Sequence, residues 1–317
     1  MEMISRICPL CGSPDTSTVF AQANYDLERL DSFAFASRKT PEYMHYRLID
    51  CPICDLLYAT PLPREDYLAE GYGEAAYDSG TEAHYAAATY SDTLLTFIER
   101  LPDRHGALDI GTGDGAFLEC LIENGFDGVA GVEPSRAPIA AAREDVRALI
   151  REGIFRGDDF APGSLSLVTC FQTLEHLNDP QEMTRAVWGL LKPGGAAYFI
   201  CHNRRALTNR LLGLKSPIFD IEHLQLFSPK SARYLLEQSG FTSVEVTTIV
   251  NRYPLRYWLR LLPLPQNVKR SLIAALDRMG IGGWSLSVPV GNIAVIGFKP
   301  DHSGLSSESG REPKAEL

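Results

Sequence analysis

The chain has 317 residues, 45% hydrophobic and 22% charged, with a formal net charge of −10. This is the profile of a soluble globular chain able to bury a large core as one big domain or two, and the acid excess excludes a chain-wide basic field for gripping nucleic acid. Met1–Arg6 lack the basic start and apolar run of a signal peptide, and no stretch reaches the roughly 18 to 20 apolar residues of a membrane span. The expected location is therefore cytoplasmic.

Seven cysteines divide into two C-x-x-C pairs and three lone thiols, Cys120, Cys170 and Cys201, in apolar surroundings. The pairs are Cys8-Pro9-Leu10-Cys11 and Cys51-Pro52-Ile53-Cys54. A two-residue spacing lets both thiolates of a pair face one ion, so Cys8, Cys11, Cys51 and Cys54 predict a closed, structural four-thiolate Zn²⁺ site in a module over residues 1–62. Gly12 and Asp55 follow the second cysteine of each pair, where the chain turns tightly. A redox role is the alternative, but neither pair opens a helix after a strand as thioredoxin-type motifs do.

The module ends at Pro61-Leu62-Pro63, and a linker follows over 63–104. It carries Tyr67, Tyr72, Tyr77, Tyr85 and Tyr90 and closes on helical spacing over Ser91–Leu101. From residue 105 to 300 strands alternate with helices, the pattern of an α/β domain with a mainly parallel sheet. Strands are predicted at Ala107–Ile110, Gly128–Val132, Leu165–Cys170, Ala196–Cys201, Ser243–Val250 and Ile293–Phe298, and helices at Ala116–Asn124, Pro138–Glu144, Gln181–Leu191 and Pro229–Ser239. The basic segment 251–290 is expected to interrupt the sheet before its last strand, and the polar tail 301–317 to be disordered.

Asp109-Ile110-Gly111-Thr112-Gly113-Asp114-Gly115 sets a glycine-rich turn between a short apolar strand and a helix. Glycines there let backbone N–H groups approach a ligand at the helix N-terminus. Glu133 ends the following strand, where a carboxylate can accept the hydroxyls of a ribose. Together they indicate an adenosine-containing cofactor, although the glycines alone also satisfy the dinucleotide fingerprint.

Asp109 before the glycines resembles the first motif of class I S-adenosylmethionine-dependent methyltransferases. The likeness extends through Leu174-Glu175-His176 with Asp179-Pro180, Leu191-Lys192-Pro193-Gly194-Gly195, Glu222-His223-Leu224 with Phe227-Ser228, and Leu235-Leu236 with Gly240-Phe241. It implies a Rossmann-like sheet with helices on both faces and S-adenosylmethionine as cofactor. Asp109, Gly111, Gly113 and Gly115 would hold its methionine part and Glu133 its ribose. Ile154 and Phe155, or Asp158 or Asp159 with Phe160, would flank the adenine, and Phe171 and Gln172 would touch the cofactor beyond the fourth strand. Some family members hold a divalent metal with acids near the Leu-Glu-His block, but Gln172 stands here at the earlier acidic position. Bacterial methyltransferases with an amino-terminal zinc ribbon, some acting on sugars, look like this arrangement.

A sulfonium methyl is already electrophilic, so the chain has to align an oxygen or nitrogen nucleophile and take its proton. His223 and then His176 are the catalytic candidates, with His202 a third; each also has a structural reading, as capping or packing. Segment 251–290 carries a local charge of +5, and Arg204, Arg205, Arg210 and Lys215 add a second basic run. These suit a phosphorylated small-molecule acceptor such as a sugar nucleotide, glycan or lipid-linked glycan. The apolar and basic run from Tyr253 to Leu262 also suits peripheral contact with an anionic membrane. A nucleic-acid-modifying enzyme and a noncatalytic scaffold are the alternatives; charge disfavours the first, intact motifs the second.

Overall fold

The computed structural model describes residues 2–14, 18–26, 43–64, 77, 80–261 and 264–301. Tyr67 and Tyr72 of the expected linker, and the tail beyond Asp301, lie outside the described residues.

The N-terminal strands are short: β1 (Met3–Ile4), β2 (Thr18–Ala21), β3 (Leu48–Asp50), β4 (Leu57–Ala59) and β5 (Leu62–Pro63). Helix α1 (Gly80–Leu94) follows. The alternating part then runs β6 (His105–Ile110), α2 (Ala116–Glu123), β7 (Asp127–Glu133), α3 (Arg136–Ala141), α4 (Glu144–Arg147), β8 (Ile150–Glu152), β9 (Leu165–Phe171), α5 (Pro180–Leu190) and β10 (Leu191–His202). It continues through α6 (Leu207–Leu212), β11 (Gln225–Leu226), α7 (Pro229–Gln238), β12 (Thr242–Pro254), α8 (Leu255–Leu261), α9 (Gln266–Arg278) and β13 (Ser285–Phe298).

One sheet has the order β12-β13-β10-β9-β6-β7-β8. The five strands from β8 to β10 are parallel, and β13 lies antiparallel between β10 and β12. Strands β6, β9 and β10 are buried along nearly their whole length, as strands covered on both faces must be. One face places Leu108, Val168, Phe199 and Val295 under Leu235 and Leu236 of α7. The other places Ala107, Leu167, Tyr198 and Ile200 under α1 and α2 through Tyr90, Leu94, Phe117 and Leu121. Helix starts follow local chemistry: Ser228 and Ser231 form a reciprocal capping box before α7, and Asp179 caps α5 ahead of Pro180.

Two expectations change. The helix placed at Ser91–Leu101 is instead α1, ending at Leu94, followed by a single 3₁₀ turn at Ile98–Arg100. It buries Ala87 and Tyr90 as well as Leu94, so part of the expected linker is a layer of the core. The segment 251–290 does not interrupt the sheet. Its ends pair as β12 and β13, with Arg252 opposite Ser287 and Pro254 opposite Ser285, so the hairpin carries α8 and α9 beyond the sheet.

The N-terminal module is stitched to the rest of the chain. Strand β4 pairs antiparallel with β11, Ala59 N–H donates to the Leu224 carbonyl at 2.8 Å, and one apolar cluster runs from Cys8, Cys51 and Tyr58 to Phe227 and Leu235. Arg6 reinforces the seam: its guanidinium donates to the carbonyls of Ala59 (2.9 Å), Asn178 (2.9 Å) and Leu224 (2.7 Å) and to Gln225 Oε1 (3.0 Å). Gln225 Nε2 in turn donates to the carbonyls of Leu174 and Leu177 at 2.6 and 2.7 Å. Burial lowers the Arg6 pKa to about 10, which leaves it charged at neutral pH. Replacing Arg6 by Met strips these carbonyls of a charged donor and is expected to cost about 2–4 kcal/mol in urea unfolding; an unchanged midpoint and slope would contradict the clamp.

Candidate active site

At the carboxyl end of β6 the chain folds back over β7. The N–H groups of Gly111 and Thr112 both donate to the Val132 carbonyl, at 2.8 and 3.1 Å. Gly111, Gly113 and Gly115 all have positive φ, but for different purposes. A Cβ on Gly111 would stand 2.2 Å from Thr173 Oγ1, and one on Gly115 would stand 2.5 Å from Val146 Cγ1. A Cβ on Gly113 would meet nothing within 4 Å, because the turn there faces open space. Gly115 does not line the cavity in front of the turn, so its need for glycine is packing against α4 and β8.

Glu133, at the tip of β7, accepts N–H bonds from Gly113 (2.9 Å) and Ser135 (2.8 Å), one on each carboxylate oxygen. The Ser135 side chain also bonds this carboxylate, and its remaining lone-pair capacity is open to further donors such as ribose hydroxyls. Asp109 lies beneath the turn, 3% exposed, and accepts from Thr169 Oγ1 at 2.6 Å. Burial raises its pKa to about 6 against the opposing bonds from Thr169 and Thr112.

A cavity of about 1850 Å³ opens in front of this turn. Asp109, Gly111, Gly113, Glu133, Ile154, Phe155, Phe171 and Gln172 all line it. Of the competing adenine set, Asp158 lines it, whereas Asp159 pairs with Arg151 at 3.0 Å and Phe160 stacks behind Phe155. Gln172 leaves β9 with φ +53, directing the chain across the end of the sheet.

His176, His202 and His223 also line the cavity, as a wall of three imidazoles. The rings of His176 and His223 lie 5.0 Å apart and those of His202 and His223 5.2 Å apart. His223 Nδ1 sits 2.8 Å from the Ile218 carbonyl and His176 Nδ1 3.2 Å from the Glu222 carbonyl. A carbonyl only accepts, so Nδ1 carries the proton in both, and on His223 Nε2 keeps its lone pair. Burial lowers the His176 pKa to about 4 and holds His223 well below the usual imidazole range, so both rings are neutral at pH 7. Glu175 does not share this wall; fully buried, it accepts the His202 N–H at 2.5 Å and leaves Oε2 without a hydrogen-bond partner among the described residues.

Among the described residues two groups are close enough to share an ion. His176, Glu222 and His223 have ligand atoms within 4.8 Å of one another, and so do Cys8, Cys11, Cys51 and Cys54. The cysteine Sγ atoms approach to 3.5 Å in the pairs Cys8 with Cys54 and Cys11 with Cys51. Tetrahedral Zn–S bonds would place sulfurs about 3.8 Å apart, so this donor set fits the ion. Asp55 turns the second knuckle with φ +63 and is bound by Arg204 and Arg205.

Several lining residues escaped the sequence reading. Tyr90 and Glu82 come from α1, and Tyr77 precedes it. Asn292 meets His202 Nδ1 at 2.9 Å and donates to Asn251 at 3.3 Å. The signal for these two was available, since an asparagine within an apolar strand such as Asn292-Ile293-Ala294-Val295 needs a polar reason.

Asp109 also makes the site's electrostatics measurable. Below pH 3.8 its carboxyl is protonated in both folded and unfolded chains; between 3.8 and about 6 only the unfolded chain ionises. Above pH 6 the native state is therefore penalised by about 3 kcal/mol relative to acid pH. Asp109→Asn should gain roughly that much on wild type between pH 3.5 and 7.5 in urea melts; an equal difference at both pH values would contradict the burial.

A family model described as "Methyltransferase domain" matches residues 83–246. Similar curated proteins include the ubiquinone biosynthesis O-methyltransferase of Pseudomonas aeruginosa (strain UCBPP-PA14), 35% identical over 106 residues, covering 31% of this chain and 44% of that protein. The enzyme of that name from Acinetobacter baumannii (strain AYE) is 28% identical over 168 residues, covering 48% and 70%. The match thus spans less than half the length of the first of these relatives. Among solved structures, Haemonchus contortus phosphoethanolamine N-methyltransferase 2 in complex with S-adenosyl-L-methionine is similar at 20% identity and a TM-score of 0.43, covering 66% of this chain and 53% of that one. A SAM-dependent methyltransferase from Archaeoglobus fulgidus is similar at 18% and 0.43, covering 74% and 100%. With more than half its length matched by the family model, the chain belongs to the methyltransferase-domain family.

Proposed function

We propose that this enzyme methylates a hydroxyl oxygen of a small amphiphilic molecule. The observation that carries the reading is one cavity lined both by the Gly111–Gly113 turn with Glu133 and by three histidines. S-adenosylmethionine supplies an electrophilic methyl carbon. Asp109 and the turn would hold its methionine part, Glu133 its ribose, and Ile154 and Phe155 its adenine. The open space at Gly113 and the spare lone pairs on Glu133 fit those tasks.

The remaining chemistry belongs to the histidine wall. His223 is the base: its Nδ1 proton is committed to Ile218, so Nε2 receives the acceptor's hydroxyl proton. His176, fixed in the same tautomer beside it, is the second catalytic candidate.

The lining also narrows the acceptor. Arg156 is the one Lys or Arg among the described lining residues, against carboxyl groups at Glu82, Asp114, Asp158, Asp179, Glu182, Asp220 and Glu222. A sugar nucleotide would bring its diphosphate into that acidic field, whereas Tyr253, Tyr257, Trp258, Leu272 and Leu276 offer an apolar bed. A lipid-linked glycan, with phosphate outside and hydroxyl inside, accords with both. The names of the O-methyltransferase relatives support oxygen as the methylated atom.

Calorimetric titration with S-adenosylmethionine should show one site, with affinity reduced at least tenfold by Glu133→Ala and abolished by Gly113→Arg. No heat with the wild type, or undiminished binding in both variants, would overturn the reading. The cysteine module is proposed to hold one structural Zn²⁺. Thiol titration in the presence of a colorimetric chelator should release one equivalent per chain, and none from Cys8→Ser/Cys54→Ser; metal-free wild type or an unchanged yield from the variant would refute it.

A further inference from the structure

The basic run from Tyr253 to Leu262, read from sequence as a membrane-facing segment, turns inward over its described part. Tyr253, Tyr257 and Trp258 pack on one another and line the cavity, and Trp258 Nε1 donates to the Leu286 carbonyl at 2.8 Å. Large apolar side chains are exposed beside it instead. On α6 Leu207 is 70% and Leu211 77% exposed, and at the end of the α9 hairpin Met279 is 61% and Trp284 64% exposed. Leu212 of α6 and Leu272, Met279 and Leu286 of the hairpin are exposed and also line the cavity, so this apolar surface is continuous with the cavity's mouth.

Charge runs the same way. Residues 204–216 contain no acid, and 251–290 contain only Asp277. No ion pair holds Arg210, Lys215, Arg252, Arg256, Arg270 or Arg278 among the described residues. Arg204 and Arg205 are spent on Asp50 and Asp55, and Arg260 on Glu82. Exposed leucines, a tryptophan and unpaired cations around the mouth of an acidic cavity complement an anionic bilayer surface, with apolar groups entering the headgroup boundary and cations meeting the lipid phosphates.

We propose that α6 and the α8–α9 hairpin dock the enzyme on an anionic lipid surface with its cavity open toward the bilayer. The docking stands on the exposed surface alone; the delivery of an amphiphilic acceptor through it rests on the function proposed above. The test is co-sedimentation of the full chain with phosphatidylcholine vesicles, with and without a quarter phosphatidylglycerol. The expected result is at least tenfold stronger partitioning onto the anionic vesicles, reversed by ~0.5 M salt.

Leu207→Glu/Leu211→Glu and Arg210→Glu/Lys215→Glu should each lower partitioning at least fivefold while leaving S-adenosylmethionine affinity unchanged, because none of the four lines the cavity. No binding to anionic vesicles, or binding untouched by both variants, would overturn the proposal. So would a wild-type dimer in sedimentation equilibrium that Leu207→Glu/Leu211→Glu dissolves, since a second copy would then own this face. Failure of the cofactor titration with vesicle binding intact would count against the proposed function and leave the docking standing.

Discussion

Two side chains, Arg6 and Gln225, tie together the loop segments on which the site depends. Sheet-end residues such as Asp109, Glu133 and Phe171 are located by the ladder beneath them, but His176 and His223 sit on irregular backbone. Gln225 bonds the carbonyls that flank Glu175 and His176, and Arg6 bonds those of Asn178 and Leu224, so the two histidine-bearing segments are held to each other. A planar guanidinium with several donors suits this task because it satisfies carbonyls on three segments at once. The cysteine knuckles and β4 thereby become supports for the site as well as for their own small sheet.

The charge distribution divides the same way. Carboxyl groups collect inside the cavity, where Asp109 and Glu133 are buried and their pKa values raised by burial. Bases collect outside, on α6 and the hairpin that extends β12 and β13. The formal charge of −10 is thus a sum over two surfaces of opposite sign. The acidic lining disfavours a phosphate group inside the cavity, whereas the bases on α6 and the hairpin suit one outside it.

Much of this was legible in the sequence. Strands β6, β7, β9 and β10 announced themselves because central parallel strands must be apolar on both faces, and the glycine turn with Asp109 and Glu133 fixed the ligand side of the sheet. The cysteine knuckles were equally plain, since their spacing is a local property. What was hidden is long-range or low in contrast. Helix α1 buries alanines and a tyrosine where a leucine period was sought. The outer half of β12 alternates buried and exposed residues, whereas that of β13, Ser285–Val290, buries none and holds two serines and a proline, a composition that reads as loop. The pairing of β4 with β11 involves two residues on each side, and nothing local in either segment foretells it. Asn251 and Asn292 were visible only as polar residues in otherwise apolar strands.

The central claim is that one cavity holds the methyl donor against Glu133 and presents it to the histidine wall. The most direct measurement is a crystal structure of the complex with S-adenosylhomocysteine. It should show both ribose hydroxyls on the Glu133 carboxylate, the adenine between Ile154 and Phe155, and the sulfur facing His223 across open space. A nucleoside bound away from Glu133, or a sulfur turned from all three histidines, would contradict the account.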